Sequence, residues 1–216
     1  MVHLLDELGL DKVPVAGGSA GALSAIQFAL RHPERCSALI LLVPAANLGD
    51  GDPVQMSPVQ QFMVQRLLTS DFLFWIALKT MPDRLVGTLL ATDPQLLVAA
   101  SQDERQRAYR VLENLMPISA RWRGMLNDGL AAGNPAQVDF RRISVPTLVI
   151  SVEDDRFGTA DTARAIAASV PQAQLILFKE GGHIWIGHDE QVADAITGFL
   201  SRHSRRGDAL EQGSSR

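Results

Sequence analysis

Cysteine is nearly absent: Cys36 is the only one in 216 residues. An intrachain disulfide is therefore excluded, and no Cys/His cluster carries zinc spacing, so no metal centre is expected. An excess of either charge is also missing. Twenty Lys and Arg face 24 Asp and Glu, for a net charge of −4. That balance disfavours nucleic acid or an anionic membrane as the main partner. Long apolar runs are missing too. The longest, Cys36 to Ala46 and Phe72 to Leu78, fall short of the roughly 20 residues that a membrane-spanning helix needs. The first residues, Met1 to Asp6, lack the basic region and apolar stretch of a signal peptide, and a cytoplasmic location is the expectation. There is no internal repeat.

What is present is ordinary for a folded chain: 46% hydrophobic and 20% charged residues. The length suits one domain with an insertion and is enough to bury a core. Val2 to Leu10 has Leu4, Leu5 and Leu8 at helical spacing, with Gly9 as a stop. Lys12 to Ala16 is a short β-type run, and Ala20 to Arg31 reads as a helix ended by His32-Pro33. Ser37 to Val43 is a continuous apolar run that suits a strand covered on both faces. From Ala46 to about Phe140 no strand is convincing. Helical stretches near Pro58–Leu68, Asp71–Lys79, Pro94–Leu115 and Ser119–Leu130 predict a helical insertion. Alternation then resumes with a strand at Pro146–Val152, a helix at Ala160–Ser169, a strand at Gln174–Lys179 and a helix at Asp189–Arg202. Such strand–helix–strand units predict an α/β fold, an open parallel sheet with flanking helices. The polar tail from residue 203 to 216 is expected to be disordered.

Three segments carry chemistry. Gly17-Gly18-Ser19-Ala20-Gly21 fits G-x-S-x-G between a strand and a helix, where the pattern has mechanical meaning. A sharp turn would raise Ser19 to its apex. Gly17, Gly18 and Gly21 make the elbow, with Gly17 and Gly21 expected to leave room for strand and helix to approach. The helix start adds free N–H groups and partial positive charge beside a developing oxyanion. A phosphate loop does not fit, because the GKS/GKT ending and the G-x-G-x-x-G spacing are missing. Second, the strand at Val145–Val152 runs into Glu153-Asp154-Asp155-Arg156-Phe157, placing acids where open α/β sheets put their sites. Third, Gly181-Gly182-His183 follows the next strand. The order Ser, acid, His is the one expected of an α/β-hydrolase site.

In these residues the sequence resembles the α/β-hydrolase superfamily, from Leu4 to about Leu200. The resemblance implies that Ser19 is the nucleophile, Asp155 before Arg156 the acid, His183 the base, and the backbone N–H of Ala20 an oxyanion donor. It implies a core at 1–45 and 141–202, with a helical cap at 46–140. It implies no cofactor. The activity it implies is hydrolysis of an ester, lactone or similar apolar acyl compound through an acyl-enzyme. Carbon–carbon bond hydrolysis, cofactor-free haloperoxidase chemistry, and an inactive fragment or interaction subunit remain alternatives. A serine elbow disfavours relatives that use Asp there, the haloalkane dehalogenases and epoxide hydrolases.

The resemblance departs at the front. Only 16 residues precede Gly17, where the family carries several strands and a second oxyanion loop. The fold is therefore expected to be N-terminally incomplete, with an exposed sheet edge that favours self-association. Asp50 or Asp52 is an alternative acid. Asp154, beside Asp155, is expected to matter little. His3, His32, His188 and Asp189 are expected to be surface or capping groups. Phe62, Met63, Phe72, Phe74, Trp75, Met81, Trp122 and Met125 are expected mostly to fill the core of the cap.

Overall fold

The computed structural model describes residues 1–45, 65–133 and 138–213, the last ten of these by backbone alone. Four strands form one parallel sheet in the order β1-β2-β3-β4: β1 Val13–Gly18, β2 Cys36–Leu42, β3 Thr147–Val152 and β4 Ala173–Phe178. Helix α1 (Val2–Glu7) precedes the sheet, and α2 (Gly21–Arg31) crosses from β1 to β2. The inner strands are buried nearly throughout, which is why they read as unbroken apolar runs.

Period-two alternation assigns the two faces of the sheet. Leu39, Leu41 and Val149 point to one side, against Ala22, Ala25 and Ile26 of α2 and Ala163 and Ile166 of α8 (Thr159–Ser169). Ala38, Ile40, Leu148 and Ile150 point to the other, against Val192 and Phe199 of α9 (Asp189–Gly213). Cys36 lies buried in the first layer, and burial pushes its thiol above the ordinary value.

Between β2 and β3 the described chain is helical: α3 Asp71–Thr80, α4 Pro82–Leu89, α5 Pro94–Ala99, α6 Gln102–Glu113 and α7 Ile118–Gly133. These helices share a second core around Phe74, Val86, Leu97, Ala108, Leu112 and Ile118. Two details differ from the sequence reading. The single helix expected at Pro94–Leu115 is two, because the Ser101 side chain accepts the Glu104 N–H and caps a new start. Helix α4, which was not expected, opens on Pro82 in the first turn, where proline fits. The stretch at Pro58–Leu68 lies mostly outside the described residues; 65–68 are helical.

Two further expectations are corrected. The segment from residue 203 is not disordered throughout, since the backbone of α9 stays helical to Gly213. Of the large apolar side chains assigned to the cap core, Phe74 is fully buried. Phe72, Trp75 and Met81 are exposed, and the side of α3 that packs is the one bearing Phe74, Ala77 and Leu78. Phe62 and Met63 lie outside the described residues.

Candidate active site

The site forms at the carboxyl ends of β1, β3 and β4, the edge where open parallel sheets collect functional groups. Strand β1 runs through both glycines, so Ser19 is the first residue beyond it. Its φ of 50° lies in the left-handed region, the strained conformation that an elbow requires. The Ser19 N–H donates to the Leu42 carbonyl at 2.9 Å, and its own carbonyl accepts from Ala22 at 3.0 Å and Ala45 at 3.2 Å. These bonds hold the turn against its intrinsic preference.

The glycines of the elbow have unequal roles. A Cβ on Gly17 would sit 2.5 Å from the Gly21 carbonyl oxygen and 2.8 Å from the Ala25 Cβ, so close approach of strand and helix requires glycine there. A Cβ on Gly21 would meet open space, and one on Gly18 would come no nearer than 3.9 Å to the Leu42 oxygen. The steric reason expected for Gly21 is therefore wrong: its Cα side faces outward. The N–H of Ala20, the N-cap residue of α2, has no acceptor among the described residues.

His183 bridges the other two groups. The Ser19 hydroxyl lies 2.9 Å from His183 Nε2, and His183 Nδ1 lies 2.8 Å from Asp155 Oδ2. A carboxylate only accepts, so Nδ1 carries the proton and Nε2 is left to accept from Ser19. His183 is 7% and Asp155 5% exposed, so this chain of bonds is largely shielded from water. Asp155 Oδ1 accepts the Phe157 N–H at 2.9 Å, and Oδ2 also accepts from the Thr159 hydroxyl. Thr159 has then spent its proton, so Ser151 donates to it, at 2.9 Å. Thr159 and Ser151 escaped the sequence reading. The available signal was a threonine opening a helix four residues after the acid.

The neighbouring residues divide by task. Asp154 turns away from the His183 ring and accepts the N–H groups of Gly182 at 2.8 Å and Gly181 at 3.3 Å. It is therefore not the idle neighbour expected. The Phe157 ring stands edge-on to His183 at 4.8 Å and is 55% exposed. Arg156 pairs with Asp93 at 2.6 Å, tying the acid loop to the start of α5. His188 bonds Gln191 and the Glu180 carbonyl, while Asp189 accepts from Trp185 and pairs with Arg107. Neither joins the Ser19 chain. His3 is exposed and His32 ends α2. Asp50 and Asp52 lie outside the described residues. Among the described residues no three His, Cys, Asp or Glu are grouped to hold a metal, and no helix is long and apolar enough to cross a membrane.

Known proteins resemble the chain over most of its length. The family model described as serine aminopeptidase, S33, matches residues 3–190. A 2-hydroxy-6-oxononadienedioate/2-hydroxy-6-oxononatrienedioate hydrolase of Paraburkholderia xenovorans is 30% identical over 207 residues, covering 92% of this chain and 65% of that protein. A poly(3-hydroxyalkanoate) depolymerase of Ectopseudomonas oleovorans is 27% identical over 215 residues, covering 94% of this chain and 66% of its own. Among solved structures, an alpha/beta hydrolase fold protein from Nakamurella multipartita superposes with a TM-score of 0.63 at 21% identity, over 94% of this chain and 73% of that one. The chain thus spans just under two thirds of the length of these curated relatives. With the family model matching from before the elbow to beyond the histidine, the chain belongs to the α/β-hydrolase superfamily, in the family described as serine aminopeptidase, S33.

Proposed function

We propose that this chain carries the reacting groups of a serine hydrolase for small acyl compounds, with Ser19 as nucleophile, His183 as base and Asp155 as its partner. The observation that carries the reading is the unbroken hydrogen-bond chain Ser19–His183–Asp155, buried at the carboxyl edge of a parallel sheet.

His183 Nε2 accepts the Ser19 proton as Oγ attacks the substrate carbonyl carbon. The carbonyl π pair moves to oxygen, beside the Ala20 N–H and the start of α2. The imidazolium returns its proton to the leaving group as the tetrahedral species collapses to an acyl-enzyme. Water then attacks through the same base, and the acid product departs with Ser19 restored. Asp155 remains a carboxylate throughout and holds the Nδ1–H tautomer. The ring of Phe157, edge-on to His183 and more than half exposed, supports an apolar acyl or leaving group.

The relatives favour a second reading of the same site. The first seven curated relatives are named as hydrolases of 2-hydroxy-6-oxo dioic acids or of 2-hydroxymuconate semialdehyde. There the acyl carbon is a ketone or aldehyde, and the bond broken is carbon–carbon, so the leaving carbon must be protonated as the bond parts. Initial rates on an aryl acetate and on a 2-hydroxy-6-oxo dienoate, followed by loss of the dienolate absorbance, separate the two. Ester turnover alone supports the first reading and dienoate turnover the second. A wild-type chain that neither turns over nor is labelled at Ser19 by a fluorophosphonate would refute both.

A further inference from the structure

The loop that carries His183 follows a path that few residues could take. Gly181, Gly182, Trp185 and Gly187 have φ of 140°, 62°, 45° and 83°. The glycines adopt such angles freely, whereas Trp185 is strained there. A loop so rich in glycine has many paths open to it, and contacts from outside select one.

Two carboxylates from different layers do so, one at each end. At the start, Asp154 accepts Gly182 N–H on Oδ1 at 2.8 Å and Gly181 N–H on Oδ2 at 3.3 Å. At the finish, Glu104 Oε2 accepts the Gly187 N–H at 2.9 Å. Glu104 belongs to α6 of the helical insertion, and its side chain is 17% exposed. Arg107, one turn along, donates to Glu104 and to the carbonyl of Ile184, the residue after His183, both at 2.8 Å. Ile184 and Ile186 are themselves part of the core of the insertion.

We propose that Asp154 and Glu104 are positioning residues for His183, gripping its loop from the sheet and from the helical insertion so that Nε2 stays within reach of Ser19. The proposal rests on the reading of His183 as the base. The two adjacent acids after β3 thereby divide the work: Asp155 orients the ring, and Asp154 orients the backbone that bears it. The insertion becomes part of the machinery through Glu104, since moving α6 moves the histidine.

The test compares Asp154→Asn, Glu104→Gln and the double variant with wild type. The control is Glu153→Gln, since Glu153 pairs instead with Arg164. Two readouts are taken on proteins shown to be folded by circular dichroism. One is Ser19 labelling by a fluorophosphonate, resolved into a maximal rate and a half-saturating concentration. The other is the downfield proton resonance of the His183 ring N–H, identified by its loss in His183→Gln. A displacement near 1 Å costs about 10²-fold in rate. Each single variant is therefore expected to label about 10- to 100-fold more slowly at unchanged half-saturation, with the ring resonance broadened or lost. The control should match wild type. Wild-type labelling and an intact resonance in the folded variants would overturn the proposal, even if their melting points fall. If wild type itself is not labelled, the nucleophile reading fails. The resonance alone then decides the positioning: its loss in the variants supports the proposal and its persistence overturns it. Should Asp154→Asn not fold, Glu104→Gln and Asp154→Glu are judged by the same two readouts.

Discussion

At the scale of residues, the site depends on a few atoms with no substitute. Ser19 Oγ is the only described hydroxyl bonded to His183 Nε2. Ser19→Ala should leave only the residual rate of binding and oxyanion contacts, a loss of about 10³ or more, measured as hydrolysis of a short-chain aryl ester by both proteins. Equal rates would make Ser19 a turn residue only. The Asp155 carboxylate takes three hydrogen bonds, from His183, Thr159 and Phe157. Asp155→Asn replaces one acceptor by a donor and should cost about 10⁴ in kcat by analogy with other triads. A variant retaining wild-type kcat would move the acid elsewhere. Gly182 is as constrained as the three bonded side chains. A Cβ there would lie 2.6 Å from the Thr92 side chain, which is fully buried, and φ is 62°. Gly182→Ala should destabilise by about 1–3 kcal/mol from overpacking alone, read from chemical denaturation, whereas Gly21→Ala, which meets open space, should cost much less.

At the scale of elements, the helical insertion and the histidine loop form one mechanical unit. Glu104 sits among Arg107, His188 and the Gly187 N–H, with Asp189 on the far side of Arg107. Burial works to raise its carboxyl, but the hydrogen bonds from Arg107 and Gly187 and the nearby positive charge outweigh it and hold it below the ordinary value. A carboxyl depressed in the folded state adds stability that is present above its unfolded value, about 4.3, and is lost as pH falls through the lower folded value. The grip on Gly187 should therefore loosen in acid. The protection of the Gly187 amide against hydrogen exchange, corrected for the intrinsic rate, should hold above about pH 4.3 and fall as pH drops below it. Glu104→Gln should flatten that dependence, and an unchanged slope would count against it.

At the scale of the whole molecule, β1 and β4 are the edges of the described sheet. Along β1, Pro14, Ala16 and Gly18 are exposed, so one side of the strand that leads to Ser19 offers unpaired backbone groups; Pro14 lacks a donor but retains its carbonyl. We expect the 216-residue chain, prepared alone, to self-associate through this edge. Sedimentation velocity over a concentration series should show mass rising with concentration, and a single monomeric species throughout would refute it.

The sequence by itself determined the local order of this protein. Unbroken apolar runs marked β2 and β3 because both faces of an inner strand are covered. The glycines around Ser19, set between a β-type run and a helical stretch, marked a strand-to-helix elbow. The order of Ser19, Asp155 and His183 followed from which strands they end. What only the tertiary structure decided was which groups meet across long separations. Asp154 and Asp155 are chemically identical neighbours. Their different tasks arise because adjacent side chains diverge, one toward the ring and the other toward the Gly181–Gly182 backbone. Nothing in the local pattern around Glu104 singles it out. It became a partner of Gly187 across 83 residues, because the insertion folds back over the histidine loop. The crowding of Gly182 by Thr92 was hidden for the same reason, whereas the break at Ser101 rests on a local cap three residues from Glu104. Periodicity reports which face of an element is buried, while the identity of the neighbour is set by packing that no local pattern encodes.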